Sequence, residues 1–172
     1  MAKNAGKIFE EDVKKSCLKD GLFVHRIRDN AMSYTESETS YTKENPYDFI
    51  IYKMPYLLTV ELKHTTYPSI SIQVNEDDDK KKMIKYHQIK ELQKASEHDG
   101  VKAGFILSFH NKKIESESTF YISIDNFIDF LTIENKKSIN MLDIVQYHGV
   151  RVEQRLLRSH YYYNISNLIE KI

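Results

Sequence analysis

The sequence has one cysteine and five glycines, carries no excess of either charge, and nowhere runs apolar for long. Each shortage removes a class of function. With Cys17 alone there is no intramolecular disulfide and no cysteine-based zinc site, a usage that suits a reducing cytoplasm. Cys17 follows Phe9 and Val13 at helical spacing, which predicts buried packing for it. None of the five glycines forms a phosphate-cradling loop, so no nucleotide cofactor is expected. His64, His87, His98 and His148 are spaced in no zinc pattern. No stretch approaches a membrane span, and the opening Met-Ala-Lys-Asn-Ala-Gly-Lys lacks a signal-peptide apolar run. The expectation is a cytoplasmic protein with no membrane partner. No internal repeat is present.

Charge is balanced, 25 basic against 25 acidic residues for a net of +0. Domains that bind DNA through phosphate contacts are usually basic, so the balance does not advertise nucleic acid. A protein that surrounds metal ions with carboxylates can nonetheless be near neutral.

What the chain does have is 41% hydrophobic and 12% aromatic residues over 172 positions, enough for one core. A single domain over residues 1–172 is expected. A first helix is predicted over 5–20, with Asn4 as its N-cap, Gly21 as its stop, and Phe9, Val13 and Cys17 as its apolar stripe. A strand follows at 22–27. Residues 29–45 are rich in Ser, Thr, Glu and Tyr and read as a loop or protruding arm. Strands are predicted at 47–53, 56–63, 103–109 and 119–124, and helices at 84–98 and 126–131. A further segment lies at 139–147, and the tail is basic and aromatic. This order suggests an α/β sandwich on a mixed sheet.

The informative segment runs from Asn45 to Lys63. If Lys53 pairs with Tyr56 in an antiparallel hairpin, partners sum to 109 and Asp48 faces Glu61. Phe49, Ile51, Leu58, Val60 and Leu62 then share one face, all apolar, while Asp48, Ile50, Thr59, Glu61 and Lys63 share the other. Opposed residues have Cβ atoms about 5 Å apart. Two carboxylates at that spacing repel, and a divalent cation between them makes the arrangement favourable. Lys63 points the same way and reaches the same place, where it can orient or deprotonate a water or neutralise a phosphoryl oxygen. The bland reading is a solvated outer face, and Pro55 in the turn leaves a one-residue shift of register open.

Asp48 followed by Glu61-Leu-Lys63 resembles the core motif of the PD-(D/E)xK nuclease superfamily. Within it the chain is most similar to the RecU-type Holliday junction resolvases, including phage and mobile-element versions. Asn4-Ala-Gly6-Lys-Ile-Phe9-Glu10, His87-Gln88-Ile89 and Gly104-Phe-Ile-Leu-Ser-Phe109 resemble further stretches of that group. The resemblance implies a restriction-endonuclease-like mixed β-sheet core flanked by helices. It also implies a Mg²⁺ site, open to Mn²⁺, formed by Asp48, Glu61 and the Leu62 carbonyl, with Glu10 as a third acid. Glu11 competes with Glu10, because helix phase alone does not choose. Lys63 would be the catalytic lysine, and Gln88 would position substrate or metal-bound water, unless it is one more polar residue on an amphipathic helix. The implied partners are a second copy of the chain and four-way junction DNA in recombination and repair. The arm at 29–45 looks short against the family's and carries five charges of mixed sign. Two other readings stay open: a restriction-like or repair endonuclease on duplex DNA, and a non-catalytic DNA-binding protein of the same fold.

Candidate DNA contacts are Arg26 and Arg28 beside the arm, and Lys81 and Lys85 in the lysine-rich stretch that follows the acidic run 76–79. Lysine runs are more often solvated surface, so the arginines are favoured. Tyr34 and Tyr41 in the arm could stack on unpaired bases.

Overall fold

The computed structural model describes residues 4–27, 45–79, 81–111 and 116–172. The expected arm, apart from Asn45, lies outside the described residues, as do Arg28 and Lys80. In chain order the elements are α1 (Ala5–Lys19), β1 (Phe23–Arg26), β2 (Phe49–Lys53), β3 (Tyr56–Thr65), β4 (Ser69–Ser71) and α2 (Tyr86–Ser96). There follow β5 (Val101–Asn111), β6 (Ser116–Ser123), α3 (Ile124–Glu134), β7 (Ser138–Asn140) and α4 (Met141–Gln146). The chain ends with β8 (Val150–Arg151), β9 (Gln154–Leu157), β10 (His160–Tyr163) and α5 (Ile165–Lys171).

Six strands form one sheet in the order β1-β2-β3-β5-β6-β8. Its pairings are antiparallel except β3 with β5, which are parallel and joined through the stretch containing α2. Parallel neighbours need such a crossover. β5 sits centrally and is buried from Ala103 to Phe109, which fits its nearly unbroken apolar run. One face of the sheet packs under α1, α5 and β10 through Phe49, Ile51, Leu58, Val60 and Leu62. The other packs under α2, α3 and α4 through Phe105, Leu107, Phe120 and Ile122. The mixed sheet flanked by helices is thus the architecture present.

Local chemistry sets the element ends. The Gly6 amide donates to Asn4 Oδ1 at 3.1 Å, and Gly21 turns the chain at φ +70. Burial pushes the Cys17 thiol up to about 12, consistent with a packing role for an inert thiol. The second helix begins two residues later than the sequence suggests, because Ile84 bridges to Ile72 and Lys85 stays extended as the N-cap. The third is longer than 126–131: Ser123 caps its start, and Asn135, at φ 49, ends it. The segment at 139–147 splits into the end of a strand and a short helix. The tail, expected only as basic and aromatic, is a hairpin and a helix.

That hairpin is fastened to α1 by buried polar groups. Asp12 accepts from the Tyr161 amide at 2.9 Å and bonds His160 Nδ1 at 2.7 Å, while the Tyr163 amide donates to Ser16 Oγ at 3.0 Å. No helix among the described residues is long and apolar enough to cross a membrane.

Gly104 marks the tightest approach within the sheet. A Cβ there would lie 2.3 Å from the Ile122 carbonyl oxygen and 2.8 Å from the Tyr121 ring. The neighbour is backbone and cannot swing aside. Gly104→Ala is therefore expected to cost about 3 kcal/mol or more, read as a lowered urea midpoint; an unchanged midpoint would contradict the packing described.

Candidate active site

The site begins with the hairpin. β2 and β3 pair with Lys53 opposite Tyr56 and Phe49 opposite Val60, where the ladder ends. The Asp48 amide bonds the same Val60 carbonyl, so Asp48 departs by one residue from the register that would set it opposite Glu61. The Met54-Pro55 bond in the turn is cis. The apolar face assigned from the sequence is the buried one, with Phe49, Ile51, Leu58 and Val60 at 0% exposure.

Asp48 lies just before β2 and is fixed on three sides. Its amide donates to the Val60 carbonyl at 3.1 Å, its carbonyl accepts from the Ile27 amide at 2.9 Å, and its Oδ2 accepts from the Leu62 amide at 2.8 Å. The N–H and C=O of one strand residue point to the same side, so the Leu62 carbonyl also lies on Asp48's flank.

Glu61 is not on a solvated face. It is 3% exposed, under α2, and its Oε1 receives Lys63 Nζ at 2.7 Å and Gln88 Nε2 at 2.6 Å. Gln88 stands at the start of α2, where its Oε1 accepts from the Lys85 amide at 3.0 Å. One side chain thus caps the helix and reaches the carboxylate.

Glu10 comes in from α1, ion-paired with Arg26 of β1. Burial is the first cause of its raised pKa, and the Asp48 charge the second, against Arg26 and Lys63. Glu11 faces outward and pairs with Lys15 at 3.6 Å. Of the two candidates, Glu10 is therefore the one in electrical contact with Asp48, Glu61 and Lys63. Burial above all pushes the Glu61 carboxyl up to about 8; the Asp48 and Glu10 charges add to this, and the Lys63 ammonium opposes it.

Three carboxylates and two cations thus lie within one another's electrostatic reach around Glu61 and Lys63 of β3. Among the described residues no three His, Cys, Asp or Glu side chains stand together as a ready metal cage. Each acid is instead tied to a protein donor: Asp48 to the Leu62 amide, Glu61 to Lys63 and Gln88, Glu10 to Arg26. The donor set still fits a hard divalent ion, being carboxylate oxygens with a carbonyl alongside. Glu61 is penalised for its charge where it lies, and a cation would relieve that penalty.

The remaining sequence candidates fall outside this cluster or at its rim. Arg26 is engaged with Glu10, Lys81 is exposed with its amide bonded to Asp79 at 2.9 Å, and Lys85 caps α2. The sequence reading missed the Asp12–His160 and Ser16–Tyr163 contacts. Their signal was two polar residues at helical spacing on the stripe of Phe9 and Val13. A cavity of about 530 Å³ opens at the other end of the sheet, beside Tyr56, Lys102 and Ser123, and holds none of the cluster.

No protein-family model matches the chain. It is 30% identical over 136 residues to the SPbeta prophage-derived uncharacterized protein YotM of Bacillus subtilis (strain 168), an alignment covering 79% of this chain. The chain spans 64% of the length of that relative. Among solved structures, it superposes with TM-score 0.52 on Hjc of Archaeoglobus fulgidus, a Holliday junction resolvase. The match covers 85% of this chain and 95% of Hjc at 13% identity. The mixed sheet, its parallel centre and the flanking helices are those of the restriction-endonuclease-like fold on which that resolvase is built.

Proposed function

We propose that the chain is a Mg²⁺-dependent, structure-selective DNA endonuclease of RecU type that resolves four-way junctions as a homodimer. The observation that carries this reading is the buried Glu61, held by Lys63 and Gln88 within the fields of Asp48 and Glu10. A sheet gains no stability from such a concentration of carboxylates, and the site is built for a ligand that is positive.

Asp48, Glu61, Glu10 and the Leu62 carbonyl would hold Mg²⁺, or Mn²⁺ in its place, and the ion would polarise the phosphoryl group and stabilise the leaving oxygen. Lys63 supplies a positive hydrogen-bond donor beside Glu61, suited to orienting the attacking water or countering charge on a non-bridging oxygen. Gln88, anchored by its bond to the Lys85 amide, keeps Glu61 from turning away. Leu62 positions Asp48 with its amide. Arg26 and Lys85 flank the cluster as contacts for the DNA backbone, with Lys81 farther out.

Substrate choice is tested by cutting a labelled four-way junction beside a linear duplex of matched sequence in Mg²⁺. Cleavage at least about tenfold faster on the junction, a difference of some 1.4 kcal/mol in barrier, is expected. Equal rates on both would move the reading to a duplex endonuclease.

A further inference from the structure

A cleft of about 290 Å³ lies between α2 and the segment leading into β2. Leu57, Thr59 and Val101 form its floor, Tyr47 stands on one side, and Glu91 and Lys94 on the other. Thr59 is 2% exposed, and its Oγ1 has no hydrogen-bond partner among the described residues. A hydroxyl that is buried and unbonded is costly to a fold, and it is explained when a ligand completes it.

The cleft holds none of the cluster's side chains, but two of its lining residues adjoin the cluster in the chain. Thr59 and Glu61 are two residues apart on one face of β3, about 6.6 Å along the strand. Tyr47 immediately precedes Asp48. A group in the cleft is therefore within about one nucleotide's reach of a phosphate at the cluster.

We infer that this cleft receives a single unpaired nucleobase of the bound DNA, its edge hydrogen-bonded by the Thr59 hydroxyl and its face against Tyr47. The inference rests on reading the cluster as the cleavage site. An apolar floor, the rings of Tyr47 and His98 and one hydroxyl suit a flat heterocycle with a polar edge. Glu91 and Lys94 at the mouth are paired with each other at 2.6 Å, so among the described residues the cleft offers no unpaired cation to a phosphate there. Burial, and then the Glu91 charge, raise the Tyr47 phenol, which keeps it a neutral wall. A paired base has its edge occupied and its faces stacked, so the cleft selects bases already unpaired.

The test is fluorescence anisotropy in EDTA, where binding is read without cleavage. Two labelled duplexes are compared, identical except for one unpaired base in one of them. The wild-type protein should bind the bulged duplex about 5–10-fold more tightly, the scale of one net hydrogen bond. Thr59→Val, which keeps the shape and removes the hydroxyl, should lose most of that preference and leave affinity for the paired duplex unchanged. Tyr47→Leu should do the same. Thr59→Val should also unfold at the same or a higher urea concentration, since it removes an unbonded polar atom. Equal wild-type affinity for the two duplexes, or an undiminished preference in Thr59→Val, overturns the inference. A preference lost in Thr59→Val without any Mg²⁺-dependent cutting supports the cleft and overturns the endonuclease reading.

Discussion

Glu61→Gln is expected to lose Mg²⁺-dependent DNA cleavage by about 10³-fold or more, the scale of removing a principal electrostatic stabiliser. Asp48→Asn should do the same. Both substitutions keep the shape of the site. An amide oxygen at position 61 still accepts from Lys63 and Gln88, and one at position 48 still accepts from the Leu62 amide. The charge alone is removed, so a collapse of activity reports on charge and not on folding. DNA binding should be largely intact in both. Glu10→Gln should also slow cutting, whereas Glu11→Gln, whose side chain is outward and paired with Lys15, should not. Rates are read from single-turnover cleavage at saturating enzyme. Full activity in Glu61→Gln or Asp48→Asn would remove these residues from the chemistry.

The second large effect is on stability and has the opposite sign. Glu61 carries a pKa raised from 4.5 to about 8, with burial as the first cause. Between those values the native state binds more protons than the unfolded chain, so stability falls as pH rises from 4.5 towards 8. Gln at position 61 has no charge to desolvate. In EDTA, Glu61→Gln should match the wild type near pH 4.5 and exceed it by something on the order of 2–4 kcal/mol at pH 8. Urea titrations across that range measure the gap. Mg²⁺ at pH 8 should stabilise the wild-type protein and leave the variant unmoved. A constant gap across pH would show that the Glu61 charge is not penalised by the fold. A protein that is more stable without its proposed key carboxylate holds that residue for activity.

Much of this geometry is legible in the chain because it is local. Alternation from Phe49 to Leu62 fixes which hairpin face is buried, and the short turn brings Lys53 opposite Tyr56, which sets the register as far as Phe49 opposite Val60. The one-residue departure at Asp48 is set by its bonds to Val60, Leu62 and Ile27 and is not readable from the alternation. Asn4 and Gly21 announce the first helix by capping chemistry that needs no tertiary partner. Long-range pairings are not legible in this way. Nothing near Asp12 in sequence specifies His160, and nothing near Ser16 specifies the Tyr163 amide. The choice between Glu10 and Glu11 is of the same kind. Helix phase sets the stripe of Phe9, Val13 and Cys17, but it is Arg26, arriving on β1, that marks the Glu10 side. The burial of Glu61 was hidden because α2, which covers it, is placed by the crossover from β3 to β5. The tail's composition, basic and aromatic, did not specify its shape: Arg155 and Tyr162 stack on each other across a hairpin, 5.0 Å from cation to ring centre.

Cleavage of DNA by the purified chain with a divalent ion is the most direct test of a catalytic role for Asp48, Glu61 and Lys63. A labelled four-way junction incubated with the wild-type protein should be cleaved in Mg²⁺ and left whole in EDTA, with Lys63→Ala inactive in both. Cleavage that persists in EDTA, or that Lys63→Ala retains in full, would contradict that role.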